Sequence, residues 1–336
     1  MTELNKISLQ ILSGGKGILA ADESTGTMTK RLESVNVKSS EANRLNFRHL
    51  LFSSRSMKDC IGGVILYDET IKQKVGSKTI PELINESGAT VGIKVDTGAK
   101  SLAGSSEEKI TEGLDGLRER LNYYYNLGAK FTKWRGVYSI SDKFPSKLSI
   151  HSNAHALGRY AALVQEAGMV PIVEPEVLME GDHSANVCYK KTSEVIKKCF
   201  DELMLNKIDL TGVILKPNMI LDGVSSKVKI SNEEVADLTI KCLKESVPVE
   251  VPGIAFLSGG QSEIEATENL NLINLKNNTN FIMTYSYGRA LQQSALKHWS
   301  KNIEDKIGAQ KVFDHRAKMC SLAAQGKWSK KLEIQI

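Results

Sequence analysis

Met169-Val-Pro-Ile-Val-Glu174-Pro-Glu176 is an apolar run that ends in two carboxylates. It is short for a helix, and no polar side chain interrupts it before Glu174, so it reads as a strand buried on both faces. Seven other segments repeat the design, at 17–22, 61–68, 90–96, 130–135, 212–216, 253–258 and 281–286, each apolar first and polar or charged at its end. The eight starts lie 44, 29, 40, 39, 43, 41 and 28 residues apart, room for a crossover helix and two loops in every interval. Strand, helix, strand at this spacing implies right-handed crossovers and a parallel sheet. Eight units predict the fold class α/β, as a single (β/α)8 TIM barrel over 1–326 with a short tail at 327–336.

The intervening stretches carry helical spacing. In 152–168 the apolar residues Leu157, Tyr160, Ala161 and Val164 recur at i, i+3, i+4 and i+7, with Ser152 as the expected cap and Gly168 as the stop. Asn232 is the expected cap of a second stretch of the same design, with Glu233 and Glu234 at the positive end of its dipole.

Composition sets the outer limits. The 336 residues, at about 150 per domain, suggest two domains, but the strand count replaces that with one barrel. Hydrophobic residues make up 41% and charged residues 25%, which excludes a disordered chain. No apolar stretch approaches the ~20 residues of a membrane span, and no basic segment with an apolar core opens the chain, so the expected location is the cytoplasm. Cys60, Cys188, Cys199, Cys242 and Cys320 form no paired spacing and read as reduced thiols. The surplus of +5 is mild, and the basic cluster at 327–331 reads as a solvated tail, so nucleic acid is not an expected partner.

Active sites of such barrels lie at the C-terminal ends of the strands. Those ends hold Asp22, Ser24, Lys94, Asp96, Lys133, Arg135, Glu174, Glu176 and Lys216. Strand alternation puts Lys94 with Asp96, Lys133 with Arg135, and Glu174 with Glu176 on shared faces. Charges behind wholly apolar runs, as in Gly212-Val-Ile-Leu-Lys216, are costly to bury without a role. Neighbouring lysines disfavour each other's protonation, which predicts a neutral amine able to attack a carbonyl. Ser258-Gly-Gly-Gln-Ser-Glu and Ser286-Tyr-Gly288-Arg289 are read as opening helices after strands seven and eight, where barrels bind phosphate at helix N-termini.

At these blocks the chain resembles the class I, Schiff-base fructose-1,6-bisphosphate aldolase family, over about 16–326. The matching segments are Gly17-Ile-Leu-Ala-Ala-Asp22-Glu-Ser-Thr-Gly, Gly92-Ile-Lys94-Val-Asp96, Lys133-Trp-Arg135, Val170-Pro-Ile-Val-Glu174-Pro-Glu176, Leu215-Lys216-Pro-Asn-Met, Phe256-Leu-Ser258-Gly-Gly-Gln and Ser286-Tyr-Gly-Arg289-Ala-Leu-Gln. The resemblance implies a lyase of glycolysis and gluconeogenesis that reversibly splits fructose 1,6-bisphosphate into dihydroxyacetone phosphate and glyceraldehyde 3-phosphate. It implies no metal cofactor, a covalent lysine imine, and a homotetramer. A lyase acting on another sugar phosphate, or a barrel that only binds such compounds, stands as the alternative.

Residue by residue, the resemblance implies Lys216 as imine former, Glu174 as proton shuttle with Glu176 assisting, and Asp22 as acceptor of the C4 hydroxyl proton. Lys133 is implied to lower the proton affinity of Lys216, with Lys94 and Asp96 in the same network. Ser258, Gly259, Gly260, Ser286, Gly288 and Arg289 are implied at the C1 phosphate, with Arg31 swinging onto it. Ser24, Thr27, Lys94 and Arg135 are implied at the C6 phosphate. Arg44 lies where the family carries two arginines, but the second is Leu45 here. Many members end in a mobile tail with a terminal tyrosine, whereas no tyrosine follows Tyr287 here, which leaves open the acid that protonates the enamine. His183, with no partner at metal-ligand spacing, reads as a loop residue.

Overall fold

The computed structural model describes residues 1–334. Eight strands, β1 (Gly17–Ala21), β2 (Ile61–Leu66), β3 (Thr90–Lys94), β4 (Phe131–Tyr138), β5 (Val170–Val177), β6 (Ile214–Leu215), β7 (Gly253–Phe256) and β8 (Ile282–Tyr287), close into one ring. All pairings round the ring are parallel, and β8 pairs back onto β1. Each strand falls inside or overlaps one of the eight expected segments. β6 is the shortest, because the residues before it form a 3-10 turn at Leu210–Gly212.

Alternation sorts the side chains into two cores. Outward-facing Leu19, Val64, Val91, Trp134, Val173 and Leu215 pack beneath the helices. Inward-facing Ile18, Ala20, Ile65, Phe131, Val170, Ile172, Ile214 and Ala255 fill the lower half of the barrel. Helix Glu3–Leu12 closes the bottom with Ile11 and Leu12, both fully buried. Gly92 and Gly63 make room for Phe131: a Cβ on Gly92 would stand 2.3 Å from its ring, and one on Gly63 3.0 Å.

Two helix starts differ from expectation. The helix with Leu157, Tyr160, Ala161 and Val164 on its buried face runs Lys147–Glu166 and is capped by Ser146, not Ser152. Helix Asn232–Ser246 begins at Asn232 itself, because Ser231 caps it in a reciprocal capping box with Glu234. Gly168 stops the first of these at φ +72°, as expected. Two hairpins, Lys74–Val75 with Lys78–Thr79 and Gly98–Leu102 with Ser105–Glu112, stand outside the ring.

The segment after Gly326 is not wholly solvated. Lys327, Lys330 and Lys331 are exposed, but Trp328 is buried and Glu333 holds the guanidinium of Arg316 at 2.6 Å. The last two residues of the expected tail, 335 and 336, lie outside the described residues. The five cysteines are free and buried. Among the described residues, no helix is long and apolar enough to cross a membrane.

Phe131 is the largest side chain of the inner core. Phe131→Ala is expected to lower stability by about 3–5 kcal/mol, read as a denaturation midpoint; a loss below about 1 kcal/mol would show that the lower barrel is not packed around this ring.

Candidate active site

The inner face of β4 reads Phe131, Lys133, Arg135, and that of β5 reads Val170, Ile172, Glu174, Glu176. The same parity carries β1 from Ile18 and Ala20 to Asp22, and β6 from Ile214 to Lys216. Each inward row therefore changes from apolar to ionisable at one height. In register, Lys94 lies beside Lys133 and Arg135 beside Glu174. The face-sharing expected from alternation holds.

Lys133 Nζ sits 2.7 Å from Asp22 Oδ2 and 3.1 Å from Glu174 Oε2, and Lys216 Nζ sits 3.0 Å from Glu174 Oε1. Glu174 thus stands between two lysines, and Lys133 between two carboxylates. Lys133 and Lys216 are each 4% exposed and Glu174 3%. Beside them Lys94 donates to Asp96 at 2.5 Å, and Arg135 pairs with Glu176.

Electrostatics set the charge states. Burial pushes the Asp22 carboxyl up, but Lys133 and Lys216 outweigh it and bring its pKa from 3.8 to about 2. Burial opposes charge on Lys133, yet Asp22 and Glu174 hold its pKa well above the ordinary lysine value. Glu174 is lowered against burial by Lys133 and Lys216, and Arg135 is raised against burial by Glu176. One expectation changes here. The lysines do not meet as bare like charges, because carboxylates are interposed, and Lys133 is a fixed ammonium.

The cluster opens into a cavity of about 770 Å³ at the C-terminal ends of the strands. Lys133 and Arg135 on β4 lie across the ring from Gly288 and Arg289, which follow β8, with Lys216 on the arc between. Gly288 caps helix Arg289–Trp299 with no side chain bonded to the first turn, which leaves its N–H groups to an anion. Ser286 Oγ is buried and has no hydrogen-bond partner among the described residues. A Cβ on Gly259 would come within 3.0 Å of Glu176 Oε1.

The loop after β7 differs from expectation. Helix Glu263–Lys276 starts only at Glu263, capped by Ser262, so Ser258 and Gly259 line the cavity from a loop rather than a helix N-terminus. Gly260, at φ +79°, makes the turn and is not in the lining. Ser24 and Thr27, hydrogen-bonded at 3.1 Å, line the cavity after β1, as does Arg31, held by Glu23 and by Gln292 at 3.0 Å. Arg44 does not reach the cavity lining, because Glu69 holds its guanidinium at 2.9 Å. His183 lies in a loop outside the lining.

The sequence reading missed Lys30, Ser34 and Tyr67 in the lining and Glu23 as the anchor of Arg31. A signal was present: Thr27, Lys30, Arg31 and Ser34 follow i, i+3, i+4 and i+7, a polar stripe along helix Thr25–Glu33 that ends on its C-cap, Ser34.

A buried lysine beside a proton-accepting carboxylate, in a barrel mouth with cations on opposite sides, is the equipment of an enzyme that forms imines with anionic carbonyl compounds. The chain belongs to the class I fructose-bisphosphate aldolase family: the family model described as "Glycolytic: Fructose-bisphosphate aldolase class-I" matches residues 3–335. This class works through a lysine imine and needs no metal ion. The chain is 46% identical over 328 residues to "Probable fructose-bisphosphate aldolase class 1" of Xanthomonas campestris pv. campestris, covering 97% of this chain and 98% of that protein. It is 49% identical over 314 residues to "Fructose-bisphosphate aldolase 4, cytosolic" of Arabidopsis thaliana, covering 93% and 80%. A solved structure of fructose-bisphosphate aldolase from Plasmodium falciparum, in complex with TRAP and an inhibitor, superposes with a TM-score of 0.95 at 42% identity, covering 97% of this chain and 95% of that one.

The depressed pKa of Asp22 makes a signed prediction. Its stabilisation is complete above 3.8 and is lost as pH falls through 3.8 toward about 2, an amount of about 2 kcal/mol. The stability gap between the wild type and Asp22→Asn should therefore shrink over that window, as read from melting midpoints; a pH-independent gap would mean that Asp22 is not ion-paired in the folded state.

Proposed function

We propose that this chain reversibly cleaves fructose 1,6-bisphosphate into dihydroxyacetone phosphate and glyceraldehyde 3-phosphate through an imine on Lys216. The observation that carries the reading is the bridging of Lys216 and Lys133 by Glu174. Glu174, 3.0 Å from Lys216 Nζ, takes a proton from its ammonium; the freed amine adds to the C2 carbonyl, and Glu174 returns that proton so that the resulting hydroxyl leaves as water. The iminium then accepts the electron pair of the C3–C4 bond as Asp22 takes the C4 hydroxyl proton. Glyceraldehyde 3-phosphate departs. Protonation of the enamine at C3 and hydrolysis of the imine release dihydroxyacetone phosphate and free the amine.

Lys133 serves both carboxylates. As a fixed ammonium it orients Asp22 and Glu174 and keeps them ionised, ready to take protons from the hydroxyl and the amine. The phosphates are assigned to opposite sides of the mouth: Ser258, Gly259, Ser286, Gly288, Arg289 and Arg31 at C1, and Ser24, Thr27, Lys94 and Arg135 at C6. Arg289 and Arg135 are suited to bidentate contact with phosphate oxygens. Glu176 holds Arg135, and Asp96 holds Lys94. A cytoplasmic location is proposed from the likeness to the cytosolic plant relative, and a homotetramer from the family.

Borohydride reduction in the presence of fructose 1,6-bisphosphate, followed by peptide mapping, is expected to fix a three-carbon adduct on Lys216 and on no other lysine, and Lys216→Met to abolish both adduct and turnover. Glu174→Gln is expected to lower kcat by about 10²–10⁴ while KM changes little, and EDTA to leave the rate unchanged. Labelling at another lysine, or loss of activity in EDTA, would overturn the reading.

A further inference from the structure

In the block Ser286-Tyr-Gly-Arg289-Ala-Leu-Gln292, the serine, the glycine and the arginine have places at the mouth, and the glutamine has no assigned part. Gln292 stands on helix Arg289–Trp299, one turn past Arg289. It is 1% exposed and does not line the cavity. A buried primary amide is costly unless its oxygen and its nitrogen both find partners, and here both do. Its Nε2–H donates to the Ala20 carbonyl at 2.7 Å, and its Oε1 accepts from Arg31 Nη1 at 3.0 Å.

The two partners belong to different elements, and each has a reason to be there. Pairing of β1 with β8 runs through Ile18–Ser286 and Leu19–Tyr287, and Gly288 then turns into the helix, so the Ala20 carbonyl falls to Gln292. A carbonyl can only accept, which fixes the amide with its nitrogen toward Ala20 and its oxygen toward Arg31. Arg31 comes from helix Thr25–Glu33, and its guanidinium is held at one nitrogen: Glu23 and Gln292 both take Nη1. Nε and Nη2 are buried with no partner among the described residues. Those two nitrogens form the edge with which an arginine takes two oxygens of one phosphate.

We propose that Gln292 is a positioning residue that orients Arg31 for the C1 phosphate of the ketose, an inference that rests on the assignment of Arg31 to that phosphate. Holding the guanidinium by Nη1 keeps the Nε and Nη2 edge for the incoming anion. The amide is neutral, so it directs Arg31 without cancelling its charge. A carboxylate in its place would give Arg31 a second counter-ion beside Glu23 and compete with the phosphate. Without any acceptor there, Nη1 keeps only Glu23, and the guanidinium loses one of the two contacts that fix its plane.

The test is steady-state kinetics of the full chain with fructose 1,6-bisphosphate and fructose 1-phosphate, both of which carry the C1 phosphate. Gln292→Met nearly keeps the volume and removes both hydrogen bonds; it should raise KM for both ketoses by roughly 5–20-fold and change kcat by less than about 2-fold. In an Arg31→Met background the same substitution should add less than about 2-fold to KM, because the residue it orients is gone. A residue that only packs the helix against β1 would add its full factor there. Gln292→Glu keeps the shape and stands in if the methionine variant does not fold: it should raise KM for both ketoses at least as much. Borohydride trapping is run on the same proteins. With Lys216 labelled throughout, an unchanged KM in the Gln292 variants, or factors for Gln292→Met and Arg31→Met that multiply, would overturn the positioning role alone. No label on Lys216 in the wild type would overturn the imine reading and this inference with it.

Discussion

The mouth of this barrel depends on one buried ammonium. Lys133 is shared between Asp22 and Glu174, and every other charge at the centre takes its position or its state from that sharing. Removing one member of a buried ion pair leaves an uncompensated charge, a loss of about 3–5 kcal/mol. The chain tolerates the cluster because cations and carboxylates alternate through it: Asp22, Lys133, Glu174, Lys216. An array of lysines alone could not be desolvated to this degree.

The scaffold makes that alternation possible. Strand parity sends every second residue inward, and the lower inward rows are apolar and sealed by helix Glu3–Leu12. The ionisable rows above cannot sink into that packed layer, so they project into the cavity. β4 and β5, paired over eight residues, supply four of them, with Lys133, Arg135, Glu174 and Glu176 held by continuous pairing rather than by loops. Groups held by regular strands keep their geometry with little reorganisation when charge moves during a reaction.

Much of this was legible in the chain. Eight apolar runs at crossover spacing gave the ring, and alternation gave the shared faces of Lys133 with Arg135 and Glu174 with Glu176. Other features depend on contacts distant in sequence. Nothing near Arg44 announces Glu69, which ties it down outside the mouth. Nothing in Lys133 or Lys216 announces that a carboxylate from β5 will separate them. Helix starts slipped because several serines could cap: Ser146 lay upstream of the expected Ser152, and Ser231 beside the expected Asn232. The segment after Gly326 reads as polar, and only the fold shows Trp328 buried and Glu333 against Arg316.

The central claim is that Lys133 and Glu174 act as one electrostatic unit. A double-mutant cycle on stability with Lys133→Met and Glu174→Gln measures that coupling directly. The account predicts a coupling of at least about 2 kcal/mol, the double variant being far less destabilised than the sum of the single ones. Additivity to within about 0.5 kcal/mol would contradict it.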